Sequence, residues 1–264
     1  MKIKNFSLRG IKVGFLKKEL LDIFVTYKIW VVLAVFLFFA LMSPPVAKLA
    51  PEIVGSLSKT QGITIEIPTP TIIDSFAQYF KNLSQIGILA VILLSIGLVA
   101  GEKTKGTLQL VVTKPVSRAN VVISKFLAQT FLFTGSMVVG AAICYLYTIS
   151  LFEGKMLAKF LQANLLYIIF YILLITITLF FSTIFRSQIA AAGLSVVGLT
   201  ILTILPGLHE VFAKYSSASL LNIANKIIYG KASFSEATWP IIVSIILIIS
   251  LLALGIFIFN RQEL

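Results

Sequence analysis

Six stretches, near residues 24-43, 83-101, 126-150, 164-185, 188-205 and 239-259, stay apolar for about the 20 residues a helix needs to cross a hydrocarbon core. Only helices and closed barrels satisfy every backbone polar group inside lipid, so the pattern predicts an all-α integral membrane protein with six transmembrane helices. Composition agrees: 58% of the 264 residues are hydrophobic and 12% are charged, about half of what a soluble domain needs to cover its surface. Water-soluble enzyme folds are therefore set aside. Pro206-Gly207 predicts the end of the fifth run, and Trp239-Pro240 suits the first turn of the sixth. No span interior carries a proline on this reading. The basic lead from Lys2 to Lys28 is too long for a signal-peptide n-region and carries Glu19 and Asp22.

The net charge of +12 is sorted by membrane side, which makes it a statement about topology rather than nucleic-acid binding. The amino-terminal arm, residues 101-125, Arg186 and the closing Arg261 and Glu263 together carry a net +10, and the opposite connections carry +2. Because positive charge is retained in the cytoplasm, both termini are expected there, with the chain a multi-pass protein of the cell membrane.

Several chemistries lack their residues. Cys144 is the one cysteine and His209 the one histidine, so no intrachain disulfide and no His/Cys metal centre is expected. No phosphate loop or dinucleotide fingerprint occurs, so the chain is not expected to be an enzyme by itself and no cofactor is expected in it. The spans hold no Asp, Glu or Arg at mid-helix, whereas proton-coupled carriers generally need such groups.

The outer connections are 44-82, 151-163 and 206-238, too short for a separate domain of usual size. The first holds Pro44, Pro45, Pro51, Pro68 and Pro70 and is expected to begin extended and turn-rich. Beyond it, Ile72, Ile73, Phe76, Tyr79, Phe80 and Leu83 recur at helical spacing, which suggests an amphipathic helix on the outer leaflet or a cap on the bundle. The stretch Ser219 to Ile228 reads in the same two ways. Small residues suit close helix packing: Gly97 with Gly101, Ser136 with Gly140, and Ala190 to Gly193. Tyr167 and Tyr171 fit either a substrate surface or packing.

Two segments on the basic side stand out. In residues 11-27, Val13, Leu16, Leu20, Ile23, Phe24 and Tyr27 share one helical face, with Lys12, Lys18, Glu19 and Asp22 opposite. This predicts an interfacial helix running directly into the first span. In residues 101-125, a short apolar piece from Thr107 to Val112 sits between lysines and is broken by Pro115, with Ser117 placed to cap the next helix. A piece so apolar calls for a partner surface or the membrane interface.

Glu102, Gly106-Thr107-Leu108, then Lys114-Pro115-Val116-Ser117-Arg118 and Lys125 resemble the pattern between the second and third spans of ATP-binding-cassette (ABC) type-2 transporter permeases. Lys17-Lys18-Glu19-Leu20 resembles that family's amino-terminal elbow helix, and the span count and closing Asn260-Arg261-Gln262-Glu263-Leu264 are similar too. The resemblance implies one permease domain over 1-264, with arm and elbow at 1-27, a coupling segment at 101-125 and a last outer loop at 206-238. It implies an exporter subunit that pairs with a second permease, as homodimer or heterodimer, and rests on a cytoplasmic ABC ATPase that binds ATP and Mg. It further implies an ATPase-coupling element of Glu102, Gly106, Thr107, Leu108, Leu110, Lys114, Pro115 and Arg118, with Leu16, Lys17, Lys18, Glu19 and Leu20 in the elbow. Membrane lipid is the remaining partner, and no nucleic acid is expected. The alternatives are a non-transporting subunit that anchors or signals through a partner ATPase and, behind that, a channel or an intramembrane enzyme.

Overall fold

Hydrophobic runs this long are helical wherever lipid surrounds them, and the computed structural model has six helices long and apolar enough to span, with no strand among the described residues. It describes residues 13-60, 69-104, 106 and 117-262. Helix α1 (Val13–Val25) precedes the first span, α2 (Lys28–Thr60), after a break at Thr26-Tyr27. The second span joins α3 (Ile72–Asn82), a π-turn at Leu83–Gly87, α4 (Ile88–Ser95) and the short α5 (Ala100–Thr104). The third is α6 (Arg118–Leu151), the fourth α7 (Leu157–Ile184) and the fifth α8 (Gln188–Leu208). Short helices α9 (Glu210–Tyr215) and α10 (Ser219–Ile228) lead through a 3-10 turn at Phe234–Ala237 to the sixth, α11 (Thr238–Arg261).

Helix α7 is the centre of the bundle. Phe160, Tyr167, Phe170, Tyr171 and Leu174 are buried on it, and α2, α4, α6, α8, α10 and α11 all pack against it or its neighbours. Gly140 lets α6 approach the first span closely: a β-carbon there would stand 3.2 Å from the Phe36 carbonyl oxygen. Buried hydroxyls and amides find one another across helices, Ser75 with Thr148 at 2.8 Å and Gln129 Nε2 donating to Ser95 Oγ at 3.2 Å.

Three expectations change here. Residues 44-60 are not extended; α2 continues through Pro44, Pro45 and Pro51. Proline costs a helix its bond to the carbonyl four residues back, but packed spanning helices tolerate this. Here Ala40, Ser43 and Ala47 are buried, and Asn82 Nδ2 donates to Ser43 Oγ at 3.0 Å, so the neighbouring helix holds the segment in line. The fifth span likewise runs through Pro206 to Leu208 and stops at the extended His209. Finally, α3 is not a separate helix lying along a leaflet: Phe76, Tyr79, Phe80 and Leu83 are fully buried in the bundle, with the rings packed on Phe160 and Tyr167, and α3 is the first part of the second span.

The π-turn has a sequence cause. The buried positions Leu83, Gly87, Val91 and Ser95 recur every four residues, a spacing that drifts by about 40° per step around an α-helix. One wider turn absorbs the drift and keeps the face on the core. Two carbonyls beside it, besides their bonds within the helix, also accept from α7: Tyr167 Oη donates to Phe80 O at 3.1 Å and Tyr171 Oη to Leu83 O at 2.9 Å. The two tyrosines are thus packing residues.

Candidate functional site

A lysine inside an apolar helix must find counter-charges, and Lys125, two turns into α6 and 2% exposed, finds two. Its Nζ lies 3.2 and 3.3 Å from the Glu19 carboxylate oxygens of α1 and 2.6 Å from Glu102 Oε1 of α5. Glu19 belongs to a buried line on α1, Phe15, Glu19 and Ile23 at four-residue spacing, so it is not on the solvated face where its charge put it. Around it, Leu16 and Leu20 are half-buried while Lys17 and Lys18 are exposed, and Phe24 and Tyr27 face away from the bundle. Lys18 pairs with Glu19 at 3.4 Å and Asp22 at 3.3 Å. Burial pulls the Lys18 ammonium down, but the carboxylates of Glu19, Asp22 and Glu102 outweigh it and raise its pKa. Beside the cluster opens a cavity of about 610 Å³ bordered by Glu19, Lys28, Glu102, Lys125, Gln129 and Gln188.

Both ends of the segment between α5 and α6 are fastened to the end of α11. At its entry, Lys103 Nζ donates to the Thr183 carbonyl and, at 2.7 Å, to Gln262 Oε1. Thr104 Oγ1 donates to the Arg186 carbonyl at 2.9 Å. At its exit, Arg118 donates to the carbonyls of Phe259 at 2.9 Å and Gln262 at 2.5 Å, capping the C-terminus of α11 with positive charge. Lys103 and Arg118 also flank the buried Phe259 ring, 5.4 and 5.9 Å from its centroid. Ser182 Oγ of α7 bridges the irregular stretch before α5, accepting from Val99 N and Ala100 N and donating to Ile96 O.

The local sequence explains these ends. Gly106 has φ +69°, a left-handed conformation that glycine adopts without strain, and its N–H bonds Lys103 O to close the helix. Ser117 Oγ accepts from Asn120 N and starts α6. Thr107, Leu108, Leu110, Lys114 and Pro115 lie outside the described residues. Gly97 and Gly101 face the Gln188 amide at the start of α8, and Ser136 is buried one turn from Gly140 on the face that meets α2.

The structure therefore brings Glu19, Glu102, Arg118 and Lys125, all named from the sequence, to one end of the bundle and adds Lys103 and Gln262. Lys125 stood in the sequence as part of the resemblance without a stated role, and Gln262 only as a member of the closing run Asn260-Arg261-Gln262-Glu263-Leu264. Among the described residues no group of three or more His, Cys, Asp or Glu side chains is placed to hold a metal ion. The arrangement offers mechanics: α1, the end of the second span and the start of the third meet on one ammonium group.

A family model described as "ABC-2 family transporter protein" matches residues 15–264. The chain is also 28% identical to the "Uncharacterized transmembrane protein YxlG" of Bacillus subtilis (strain 168), over 96% of this chain and 98% of that protein.

Proposed function

Since the chain belongs to the ABC-2 family of transporter membrane proteins, we propose that it is the permease subunit of an ATP-driven exporter, moved by a separate ATPase. In this reading both termini are cytoplasmic, α1 is the elbow helix and residues 101-125 form the coupling segment. ATP and Mg bind the partner, which docks on the apolar piece around Leu108 and Leu110. A second permease completes the membrane part; α8 and α11, which bury little of their surface within this chain, are available to it or to lipid.

The observation that carries the reading is the double attachment of the coupling segment. A push on residues 105-116 enters the bundle through Lys103 and Arg118, which grip the same end of α11. It also enters through Glu102, which shares Lys125 with Glu19. Rigid elements joined in this way move as a unit.

The test begins with affinity purification of the tagged chain from its native membrane, where a phosphate-loop ATPase is expected as a stoichiometric companion. With that partner reconstituted, Leu108→Asp is expected to weaken its capture by ~10-fold or more while leaving membrane insertion intact, because a carboxylate in a docking face loses hydration. Unchanged capture and unchanged ATPase stimulation by the variant would refute the coupling assignment. ATPase activity that no substrate alters would favour a signalling subunit over an exporter.

A further inference from the structure

At the end of the bundle opposite Lys125 lies a cavity of about 990 Å³ between α2, α3 and α10. Its walls differ in chemistry. One is a polar stripe along the second span, Asp74, Gln78, Lys81 and Gln85, whose spacing of four, three and four residues keeps it on a single helical face. The opposite face of that helix carries the buried aromatic core, so the stripe is turned outward into the cavity. Helix α10 adds Asn222, Asn225 and the half-exposed ring of Tyr229, whereas Val46, Ala47, Pro51 and Leu221 make an apolar wall.

Depth and charge narrow what this cavity holds. At 1.5 Å per residue, Gln85 stands about 25 Å along the span from Glu102, near the far boundary of a hydrocarbon core of about 30 Å. Val46 to Pro51 stand about 27–35 Å along α2 from Lys28, so both walls are level with lipid head groups, and α2 runs from its wall into the acyl region. Among the described lining residues Asp74 and Lys81 are the charged pair, and Asp74 Oδ2 already accepts from Thr71 N at 2.7 Å and Thr71 Oγ1 at 2.8 Å. Phosphate heads are held by clustered Arg and Lys, whereas among the described lining residues Lys81 is the one cation, with Lys231 at the rim over the Tyr229 ring. Four amides line it, and beyond the bonds of Gln78 to Asn82 and of Asn225 to Tyr167 they keep donors and acceptors that match hydroxyl groups, while the half-exposed Tyr229 ring, with Lys231 Nζ 5.9 Å from its centroid, adds a flat edge to the rim.

The π-turn gives an independent indication. Ser84 and Gln85 both belong to it and both line the cavity, and π-turns within helices occur frequently at functional sites. Ser84 Oγ also lies 2.6 Å from Tyr167 Oη, so the cavity floor is tied directly to the core helix.

We infer that this cavity binds an amphiphile with an uncharged, hydroxyl-rich head group, the head against Gln78, Gln85, Asn222 and Asn225 and the chain along α2. The inference concerns binding by this chain and does not depend on ATPase coupling. The full-length chain is placed in nanodiscs of phosphatidylcholine with equal minor amounts of monoglucosyl diacylglycerol and phosphatidylglycerol, and retained lipid is read by native mass spectrometry. The glucosyl lipid is expected to be enriched roughly fivefold over its bulk share, and free glucose is expected not to displace it. Gln78→Leu with Gln85→Leu, and separately Asn225→Leu, should return it to the bulk share, while Lys81→Ala should leave it enriched. Absence of enrichment, enrichment that survives all the amide variants, preference for phosphatidylglycerol, or displacement by free glucose would each overturn the assignment. The two amide variants lie on different helices, so misfolding of one leaves the other decisive.

Discussion

A Lys125→Met variant is expected to lose about 3–5 kcal/mol of stability, the usual consequence of removing one partner from a buried ionic cluster. Lys125 is the shared cation of Glu19 and Glu102, at 2.6–3.3 Å, and it is 2% exposed. Without it the buried Glu19 keeps only the exposed Lys18 as a cation beside the Glu102 carboxylate, and α1 loses its charged attachment to the third span. Thermal unfolding of the purified protein in detergent, with limited proteolysis at Thr26-Tyr27 as the local readout, measures both effects. Adding Glu19→Gln and Glu102→Gln to the same variant should recover a large part of the loss, because neutral amides remove the repulsion and leave the shape. A single variant that unfolds like the parent, or a triple variant that is no better than the single, would show that the cluster does not hold α1. If the proposed partner ATPase is present, the single variant should also stimulate it less, since α1 and the proposed coupling segment would no longer share a joint.

Gly87→Ala is expected to destabilise by roughly 2–3 kcal/mol, against the usual gain of about 1 kcal/mol when alanine replaces glycine in a helix. A β-carbon at this position would overlap the Tyr171 hydroxyl and stand 3.4 Å from Tyr171 Cζ. The ring cannot swing aside cheaply, being buried between Phe36 and Tyr167, and any shift breaks its bond to the Leu83 carbonyl, which also accepts from Ile88 N in the π-turn. Tyr171→Phe alone should cost about 1 kcal/mol for the lost hydrogen bond. The double variant should be more stable than Gly87→Ala alone, because deleting the hydroxyl removes the overlap. Simple additivity of the two losses in thermal unfolding would mean that Gly87 is not where the π-turn meets the fourth span.

The same residues show how far local pattern carries. The apolar runs announce six helices, and Ser117 announces the start of α6, because both depend on a few adjacent residues. The period of Ile72, Phe76, Tyr79, Phe80 and Leu83 announces a helix but not the direction of its apolar face, since lipid and protein core are equally apolar destinations. The structure gives that face to Phe160 and Tyr167, far along the chain. Pro44, Pro45 and Pro51 read as breakers by local rules, and only the packing of α3 against the segment explains why the helix continues. Glu19 stands beside Lys18 and near Asp22, so a helical projection assigns it to water, whereas its partner is 106 residues away.

What the sequence by itself determined is which stretches are apolar enough to span, and with it the class of fold, the six spans and the resemblance to the family. Partition into lipid is nearly additive over neighbouring residues, so a linear reading captures it. The tertiary structure alone decided which polar groups are satisfied and by whom: Lys125 between Glu19 and Glu102, Arg118 on the end of α11, and two tyrosine hydroxyls on the π-turn. Those bonds exist because a buried donor or charge must be compensated somewhere, and their partners come from segments that meet only once the helices have packed.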